Sequence, residues 1–474
     1  MAEKSTTAVR RDSLHGLWSS RFVFILAVTG SAVGLGNIWK FPYIAGQNGG
    51  GAFVAVYLLC VFAIGLPIMM AEVLIGRRGR RNPVATMMLL GEEEAGHASW
   101  SLVGVLGVVT GFLILSFYSV IAGWTGAYII KSAIGEFVGA VPEAVAGSFS
   151  DLSGSALNSG FWHTAFMAVT VFVVARGVKS GLEQAVRFMV PALVVIMLIL
   201  LGYAMRNTGE FFQQGFEFLL RPDFGALSGS GVLAAMGQAF FTLSLGMGAV
   251  MAYGAYLPQQ TSIIGTSVAV VCADTAIAIL AGLVIFPIVF ANDLDPNAGP
   301  GLIFETLPLA FGQLPGGEIF GALFFLLLAF AALTSGISLM EPAVAWSMEN
   351  HGLGRVQAAT LVGGIVWVLG FMTVLSFNRL SEFQFWNGTI FDNIDFLTTN
   401  IMLPLGGLLI TVFAGWVMCQ NSSADELDET AGPLYQLWRF LARYVAPVAV
   451  LLIFLNAIGL LTPVFDALMP QGQS

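Results

Sequence analysis

The chain has 474 residues, of which 57% are hydrophobic and 10% charged, and its mean hydropathy is +0.84. A soluble domain carries about 25% charged residues, so this composition excludes an ordinary soluble protein and indicates one embedded in a lipid bilayer. The net charge of −9 argues against nucleic acid as a partner.

Eleven apolar stretches are long enough to cross a bilayer, which takes about 20 helical residues. They predict an all-α membrane protein with spans 1 to 11 at 22–46, 52–76, 100–131, 161–177, 186–205, 231–256, 262–291, 317–348, 354–377, 391–418 and 440–462. We interpret the rest as a cytoplasmic tail at 1–14, a core at 15–418, a solvated acidic cytoplasmic loop at 419–439, and a region at 440–474 with span 11 and an extracytoplasmic C-terminus.

Lysine and arginine are distributed unevenly between the two sides of these spans. With the N-terminus inside, only five of the nineteen fall outside: Lys40, Lys131, Arg206, Arg221 and Arg379. The positive-inside rule therefore predicts a cytoplasmic N-terminus.

Span 1 is interrupted between Gly30 and Pro42, where three glycines fall within seven residues. A membrane helix must satisfy its own backbone hydrogen bonds, so broken backbone is tolerated only inside protein or along a polar cavity. There the freed carbonyl and amide groups can bind ions and charged substrate groups. Tight helix packing is the alternative interpretation, because glycine is common in spanning helices.

Span 6 carries a second break at 241–249, where Gly246 and Gly248 mirror Gly34 and Gly36 of span 1. Spans 1 and 6 open two successive sets of five spans. This predicts a 5+5 inverted-repeat fold with repeats at about 22–205 and 231–418. Glycine-interrupted spans in corresponding positions indicate the binding site of a secondary transporter.

The remaining chemistry gives no sign of an enzyme. Cys60, Cys272 and Cys419 are scattered in or beside spans, and the four histidines lie at span ends or in loops. Nothing resembles a metal cluster or a disulfide framework. The nucleophile elbow, the metalloprotease helix motif and the phosphate loop are all missing from the sequence.

Five segments carry a specific resemblance to a known family: Gly30 to Pro42, Asn48 to Phe53, Gln238 to Gly248, Ala331 to Pro342, and Asp392 to Asn400. From about Trp18 through span 10, the chain resembles the neurotransmitter:sodium symporter family, in the bacterial amino-acid branch typified by the bacterial leucine transporter. The resemblance implies sodium-coupled amino-acid import by alternating access across the plasma membrane, the inner membrane of a bacterium. The oligomeric state stays open.

The resemblance implies two sodium sites. The first would comprise Ala32, Asn37, Thr242 and Asp274, and the second Gly30, Val33, Ala331, Thr334 and Ser335. Residues i, i+3 and i+4 share one helix face, so the span 8 ligands can converge, and hard cations prefer such oxygen atoms. For Thr334 and Ser335, hydrogen bonding to the preceding turn is the alternative.

Asp274 departs from the family pattern, since most relatives carry asparagine there. An ionisable residue inside a span is a functional candidate. Tyr57 and Gln238 match two chloride contacts of animal members, but Ala278 replaces the chloride-binding serine. We infer that Asp274 supplies the anion, so we expect no chloride requirement and proton countertransport on the empty return. A hydrogen-bonded packing role is the alternative.

The substrate pocket implied by the resemblance lies between the two breaks. Its residues would be Ser31, Ala32, Leu35, Gly36, Ile114, Tyr118, Phe241, Thr242, Ser244, Met247, Ser335 and Leu339. The amides of Leu35 and Gly36 would hold a carboxylate, as helix N-termini do. Monoamine-transporting relatives carry aspartate where this chain has Gly34, so the substrate must bring its own carboxylate. The mostly apolar wall predicts a hydrophobic or aromatic L-amino acid. The alternative is another small zwitterion, either a small neutral amino acid or a betaine-like osmolyte.

Two gates complete the resemblance. Lys40 and Asp395 would form the outer gate, and Arg21, Trp18, Tyr256, Glu341 and Glu349 the cytoplasmic closure. Lysine cannot make arginine's bidentate fork, so we expect a looser outer gate. His15 replaces a family arginine, and Arg10 or Arg11 could substitute for it.

Three rival classes are weighed against this interpretation. A channel would have polar rings and no need of two broken helices. A proton-coupled carrier of the same fold would lack the hydroxyls of Thr334 and Ser335, and a sensor would carry a long soluble domain.

Overall fold

The structure is a computed structural model that describes residues 11–294, 301–427 and 432–461. Within these ranges the regular elements are helices, and the only extended pairings are two isolated bridges. Nine helices are long and apolar enough to cross a membrane, and the bent pair Arg21–Ala32 and Gly36–Gln47 makes a tenth. The predicted all-α membrane fold is therefore confirmed.

The uninterrupted spans follow the predicted order. Spans 2 to 5 are Gly51–Gly79, Ala98–Ala133, Ala156–Ala175 and Val178–Asn207, spans 7 to 9 are Ile263–Ala291, Gly317–His351 and Arg355–Ser376, and spans 10 and 11 are Ile390–Val417 and Pro433–Ala457. Span 11 begins at Pro433 rather than at residue 440, because proline is favourable in the first turn of a helix.

Span 1 consists of two half-helices that meet at a sharp bend. The inner half, Arg21–Ala32, ends where Val33 turns to an extended conformation with ψ of 99°. The outer half, Gly36–Gln47, begins with a π-helical turn at Gly36–Lys40, and the two axes differ by 59°. The predicted break therefore lies at residues 33–35.

Span 6 is also two helices, Gly229–Thr242 and Ala249–Ala255. Each is too short to count as a span by itself, which is why length and composition give ten candidates rather than the eleven predicted. Three residues of the intervening segment have positive φ, namely Ser244 at 54°, Gly246 at 83° and Gly248 at 74°. Glycine adopts that region without steric cost, so the two glycines are what make this break possible.

Several connections contain helices that the sequence did not predict: Pro83–Ala95, Pro142–Gly154, Glu210–Leu220, Leu302–Gly312 and Gln420–Glu426. The last of these corrects the interpretation of 419–439 as a solvated loop. Arg77 Nε donates to Glu426 Oε2 at 2.7 Å, and the two side chains are 0% and 7% exposed. The acidic composition of this segment indicated a solvated loop. However, a buried charge needs a partner, and Glu426 of this segment is the partner of the buried Arg77 at the end of span 2.

The break in span 1 lies where two apolar clusters meet. Val28 belongs to the cluster that includes Trp18, whereas Val33 and Leu35 belong to the other cluster, and Tyr118 packs against both. Spans 3 and 8 pack along their length beside this junction. Residues 33–35 of the break are buried within the protein, as lipid-exposed irregular backbone would not be tolerated.

Candidate functional site

A cavity of about 70 Å³ lies where the two breaks face spans 3 and 8. All the residues predicted for the substrate pocket line it: Ser31, Ala32, Leu35, Gly36, Ile114, Tyr118, Phe241, Thr242, Ser244, Met247, Ser335 and Leu339. Three more residues join them, Gly34, Asn37 and Leu403. The structure therefore brings the predicted pocket residues of spans 1, 3, 6 and 8 together around one cavity, and span 10 adds a further residue to its lining.

One end of the cavity is suited to a carboxylate. The Tyr118 hydroxyl is buried and makes no hydrogen bond within the described residues. Leu35 and Gly36 begin the outer half-helix of span 1, and first-turn amides have no acceptor inside their own helix. A Cβ at Gly34 would lie 2.8 Å from Ser335 Oγ and 3.3 Å from the Tyr118 hydroxyl. Position 34 has no room for an acidic side chain without displacement, so a cationic substrate would find no counter-charge there.

Much of the remaining lining is apolar. Ile114, Met247, Leu339 and Leu403 contribute to it from four different spans, and each is at most 8% exposed. An unbranched methionine adapts to irregular gaps, so Met247 can adjust to different side chains. The cavity thus combines polar groups suited to a carboxylate with apolar side chains, and pockets for small molecules commonly have this mixed lining.

Ser244 is held in a strained conformation at the break of span 6. Its φ is 54°, and its hydroxyl donates to the Ser31 carbonyl oxygen at 3.0 Å. A non-glycine residue with positive φ costs free energy that its surroundings must supply, and such residues cluster at functional sites. The hydroxyl keeps its acceptor lone pairs, so it can still accept a hydrogen bond from an ammonium group.

The residues of the first predicted sodium site form one buried polar cluster. Asn37 Nδ2 donates to Asp274 Oδ1 at 2.7 Å and to Thr242 Oγ1 at 2.8 Å. Thr242 Oγ1 donates to Asp274 Oδ2 at 2.9 Å, and none of the three residues is more than 1% exposed. Ala32, the fourth predicted ligand, lines the adjoining cavity. A carboxylate, an amide oxygen and a hydroxyl within one cluster make a suitable ligand set for a hard cation.

The surroundings of Asp274 include polar atoms without hydrogen bonds. Tyr57 Oη, Gln238 Oε1 and Thr275 Oγ1 are buried and have no partner among the described residues. Tyr57 lies near enough to Asp274 to interact with its charge. Ala278 is fully buried and offers no polar group. Tyr57 and Gln238 were predicted here, but Thr275 was missed, although its position next to Asp274 was a usable signal.

The second predicted sodium site brings span 8 against the break of span 1. Ser335 Oγ lies 3.5 Å from the carbonyl oxygen of Gly30 and 3.4 Å from that of Val33. Thr334 Oγ1 donates to its own helix at the Ala331 carbonyl oxygen, at 3.0 Å. The back-bonding alternative therefore describes Thr334 but not Ser335. A donating hydroxyl keeps its acceptor lone pairs, so the hydroxyls of Thr334 and Ser335 could still accept a cation here.

The outer gate residues do not form an ion pair in this conformation. Lys40 Nζ lies 4.0 Å from the centroid of the Phe241 ring, a cation–π contact. Asp395 is near enough to interact with the charge of Lys40. However, among the described residues no ion pair within 4.0 Å joins the two, and Asp395 Oδ1 accepts from Thr399 at 3.0 Å. The predicted pair is thus replaced by a ring contact over the cavity.

The predicted cytoplasmic closure centres on Trp18, which is 2% exposed. Its backbone amide donates to the Tyr256 carbonyl oxygen at 3.0 Å, and its indole Nε1 donates to the Tyr253 carbonyl oxygen at 3.1 Å. Tyr256 Oη donates to Glu341 Oε1 at 2.8 Å, and Arg355 forms an ion pair with the same carboxylate. These contacts seal the segment before span 1 against spans 6 and 8.

Two details of this closure differ from the predicted arrangement. His15 itself bonds Glu349, at 2.8 Å, so the position does not need a substitute arginine. Arg11 instead bonds Glu93, and Arg10 lies outside the described residues. Arg21, predicted as a gate residue, is exposed and forms no ion pair with the described residues. The partner of Glu341 is Arg355, which lies beyond the end of span 8 at the start of span 9 and could not be identified from spacing alone.

Glu72 of span 2 is a functional candidate that sequence reasoning missed. Its side chain is fully buried, and its Oε1 accepts a hydrogen bond from the Gly246 amide at 2.7 Å. The other carboxylate oxygen has no partner among the described residues. An acidic residue inside a span was the available signal. The contact satisfies one of the amides that the break of span 6 frees from helical bonding.

Comparisons with known proteins agree with this geometry. The model of the sodium:neurotransmitter symporter family matches residues 15–139 and 154–467. The sodium-dependent transporter YhdH of Bacillus subtilis is 37% identical over 94% of this chain and 98% of its own, and a sodium-dependent transporter of Haemophilus influenzae is 33% identical over 93% and 97%. The crystal structure of MhsT in complex with L-phenylalanine has a TM-score of 0.85 and 43% identity, covering 93% of this chain and 99% of that one. This chain therefore belongs to the sodium:neurotransmitter symporter family, as a multi-pass sodium-dependent transporter.

Proposed function

We propose that this protein imports hydrophobic or aromatic L-amino acids together with sodium. The observation that carries the proposal is a cavity whose lining includes both the buried, unpartnered Tyr118 hydroxyl and the apolar Ile114, Met247 and Leu339. A zwitterion with an apolar side chain matches both kinds of group. The similarity to MhsT, whose crystal structure is a complex with L-phenylalanine, supports the same substrate class.

Two sodium ions would drive uptake, one at the cluster of Asn37, Thr242 and Asp274 and one between spans 1 and 8. Each charge that crosses the membrane contributes about 2.3 kcal/mol per 100 mV. Two ions therefore contribute about twice that, before their concentration gradient is counted. Both clusters lie beside the cavity, so occupation of the sodium sites and of the substrate site would stabilise the same conformation of the breaks.

The cytoplasmic closure suits an alternating-access cycle. In this conformation the contacts of Trp18 and Tyr256 shut the cavity from the side we assign to the cytoplasm, while Lys40 and Asp395 are unpaired on the other side. We place the N-terminus in the cytoplasm of a bacterial cell, because positive charge concentrates on that side. Import then requires breaking the inner contacts after the outer side has closed.

The decisive experiment is thermal unfolding of purified protein against all twenty amino acids, with sodium and with potassium. A ligand at 100 times its Kd stabilises the folded state by about 2.7 kcal/mol. We expect leucine, methionine or an aromatic amino acid to stabilise the protein in sodium alone, and the same compounds to saturate uptake in proteoliposomes. Each buried methylene contributes about 0.8 kcal/mol, so glycine should bind far more weakly than leucine.

Other outcomes would identify the alternatives. Stronger stabilisation by glycine, alanine or betaine than by leucine would favour a transporter of small zwitterions. Equal binding of an amino acid and its decarboxylated amine would contradict the carboxylate end of the cavity. Current without saturation would indicate a channel, and uptake driven by a proton gradient without sodium would indicate a proton-coupled carrier.

We further propose that Asp274 removes the need for chloride and carries a proton back on the empty return. The support is its full burial, its hydrogen bonds to Asn37 and Thr242, and the apolar Ala278 one turn away. With sodium bound, the carboxylate is paired; without it, an uncompensated buried charge is costly, so protonation would accompany sodium release.

The test replaces the fixed charge. Asp274→Asn should lose uptake in chloride-free buffer, and Asp274→Asn with Ala278→Ser should recover it when chloride is added. Wild-type vesicles loaded with a pH dye should report proton movement opposite to the substrate. A chloride requirement in the wild type, or normal chloride-free uptake by Asp274→Asn, would refute this role.

A further inference from the structure

Span 10 contributes a residue to the cavity wall that the sequence did not indicate. Leu403 lines the cavity and is 2% exposed. It opens the α-helix Leu403–Val412, directly after the π-helical turns of Phe396–Met402. The helix that carries Asp395 on the outer side therefore also reaches the apolar end of the cavity.

Leu403 reaches the cavity because its helix lies against the break of span 6 with no side chain between them. A Cβ at Gly246 would lie 2.5 Å from the Leu403 carbonyl oxygen and 3.0 Å from the Gly407 amide. A Cβ at Gly406 would lie 2.4 Å from the Gly246 carbonyl oxygen. Real Cβ atoms do not approach so closely, so glycine at these positions sets the distance between the two backbones. Met247, next to Gly246, and Leu403 consequently share one wall.

We infer that Leu403 determines which side chains the transporter accepts. The inference rests on the proposed amino-acid function and specifies its side-chain subsite. The carboxylate end is fixed by the backbone of span 1, so a longer side chain must extend toward the apolar wall. Among the described apolar residues that line the cavity, Leu403 alone comes from the span that also carries Asp395, the predicted outer gate residue. A larger substrate side chain would therefore contact span 10, the same span that carries Asp395.

The physical consequence is a predictable shift in rank order. A buried methylene contributes about 0.8 kcal/mol, or about 4-fold in affinity. Leu403→Ala enlarges the subsite, so tryptophan should gain relative to leucine by about 10-fold or more, given that factor per methylene. Leu403→Val removes one methylene and should shift the same ratio by about 4-fold. Leu403→Phe should reverse the order, favouring alanine and valine over tryptophan.

The experiment is competition of unlabelled amino acids against a radiolabelled substrate on purified full-length protein in saturating sodium. Leu405→Ala is the matched control, since Leu405 lies on the same helix, is partly buried and does not line the cavity. The inference requires a changed tryptophan-to-leucine ratio in the Leu403 variants and an unchanged ratio in the control. The mild Leu403→Val keeps the test decisive if Leu403→Ala does not fold.

The outcomes separate the two proposals. If the wild type binds no amino acid in sodium, the proposed function fails and the inference fails with it. If the wild type binds amino acids and the Leu403 variants keep its rank order, the inference alone is overturned. A parallel loss of affinity for every amino acid, with no change in rank, would show that Leu403 is a packing residue, and it would also overturn the inference.

Discussion

Ser335 offers the sharpest test of sodium coupling, because its hydroxyl joins span 8 to the break of span 1. Its Oγ lies 3.3 to 3.5 Å from the carbonyl oxygens of Gly30, Ser31 and Val33. These are long contacts, and a neutral hydrogen bond contributes only about 0.5–1.5 kcal/mol net even at good geometry. Ser335→Ala should therefore cost little in the sodium-free protein.

The cost should fall instead on the sodium-bound state. An interaction with a charged group is worth about 1.5–3 kcal/mol, which corresponds to about 10- to 150-fold in sodium affinity. The assay is sodium titration of substrate binding or of thermal stabilisation in the purified variant, with ionic strength held constant by potassium. We expect the half-saturating sodium concentration to rise by that factor, with a normal unfolding temperature in potassium.

Ser338→Ala provides the matched control on the same helix. Its hydroxyl accepts from Ser31 Oγ at 2.7 Å and donates to the Ser335 carbonyl oxygen at 2.8 Å, so it contacts span 1 without belonging to the predicted ion site. This variant should lose stability but titrate with sodium as the wild type does. An unchanged titration in Ser335→Ala, or an equal shift in Ser338→Ala, would refute the assignment of Ser335 as a sodium ligand.

Three other predictions follow from buried contacts. Glu72→Ala leaves the Gly246 amide without its acceptor, so unfolding should become easier by about 1–3 kcal/mol, and Glu72→Gln should restore most of the loss; equal thermal midpoints for both variants would contradict this. Glu426→Ala strands the buried guanidinium of Arg77 and should cost about 3–5 kcal/mol, which a lowered thermal midpoint would show and an unchanged one would exclude. Trp18→Ala removes the indole from the cytoplasmic closure, so amide hydrogen exchange in the inner half of span 6 should accelerate; exchange at the wild-type rate would mean that Trp18 does not hold the closure.

The sequence predicted the class and order of the spans because bilayer crossing leaves a local signature, a run of apolar residues of fixed length. It also predicted both breaks, since glycine pairs in corresponding positions of spans 1 and 6 weaken the helical backbone there. The helix Gln420–Glu426 was not predicted because its acidic and polar residues resemble a solvated loop, and the start of span 11 was missed because Gln436 and Arg439 interrupt its apolar run. Composition cannot show that Glu426 forms an ion pair with the buried Arg77.

The candidate site divides in the same way. By itself the sequence determined which residues could serve as ligands wherever one helix turn places them together, as with Ala331, Thr334 and Ser335. Only the tertiary structure decided that Leu403 completes the cavity and that Lys40 rests on Phe241. These contacts join residues far apart in the chain, and helical periodicity specifies which residues share a face but not which other helix that face meets. Close approach between helices, set here by glycines on both sides, made that choice.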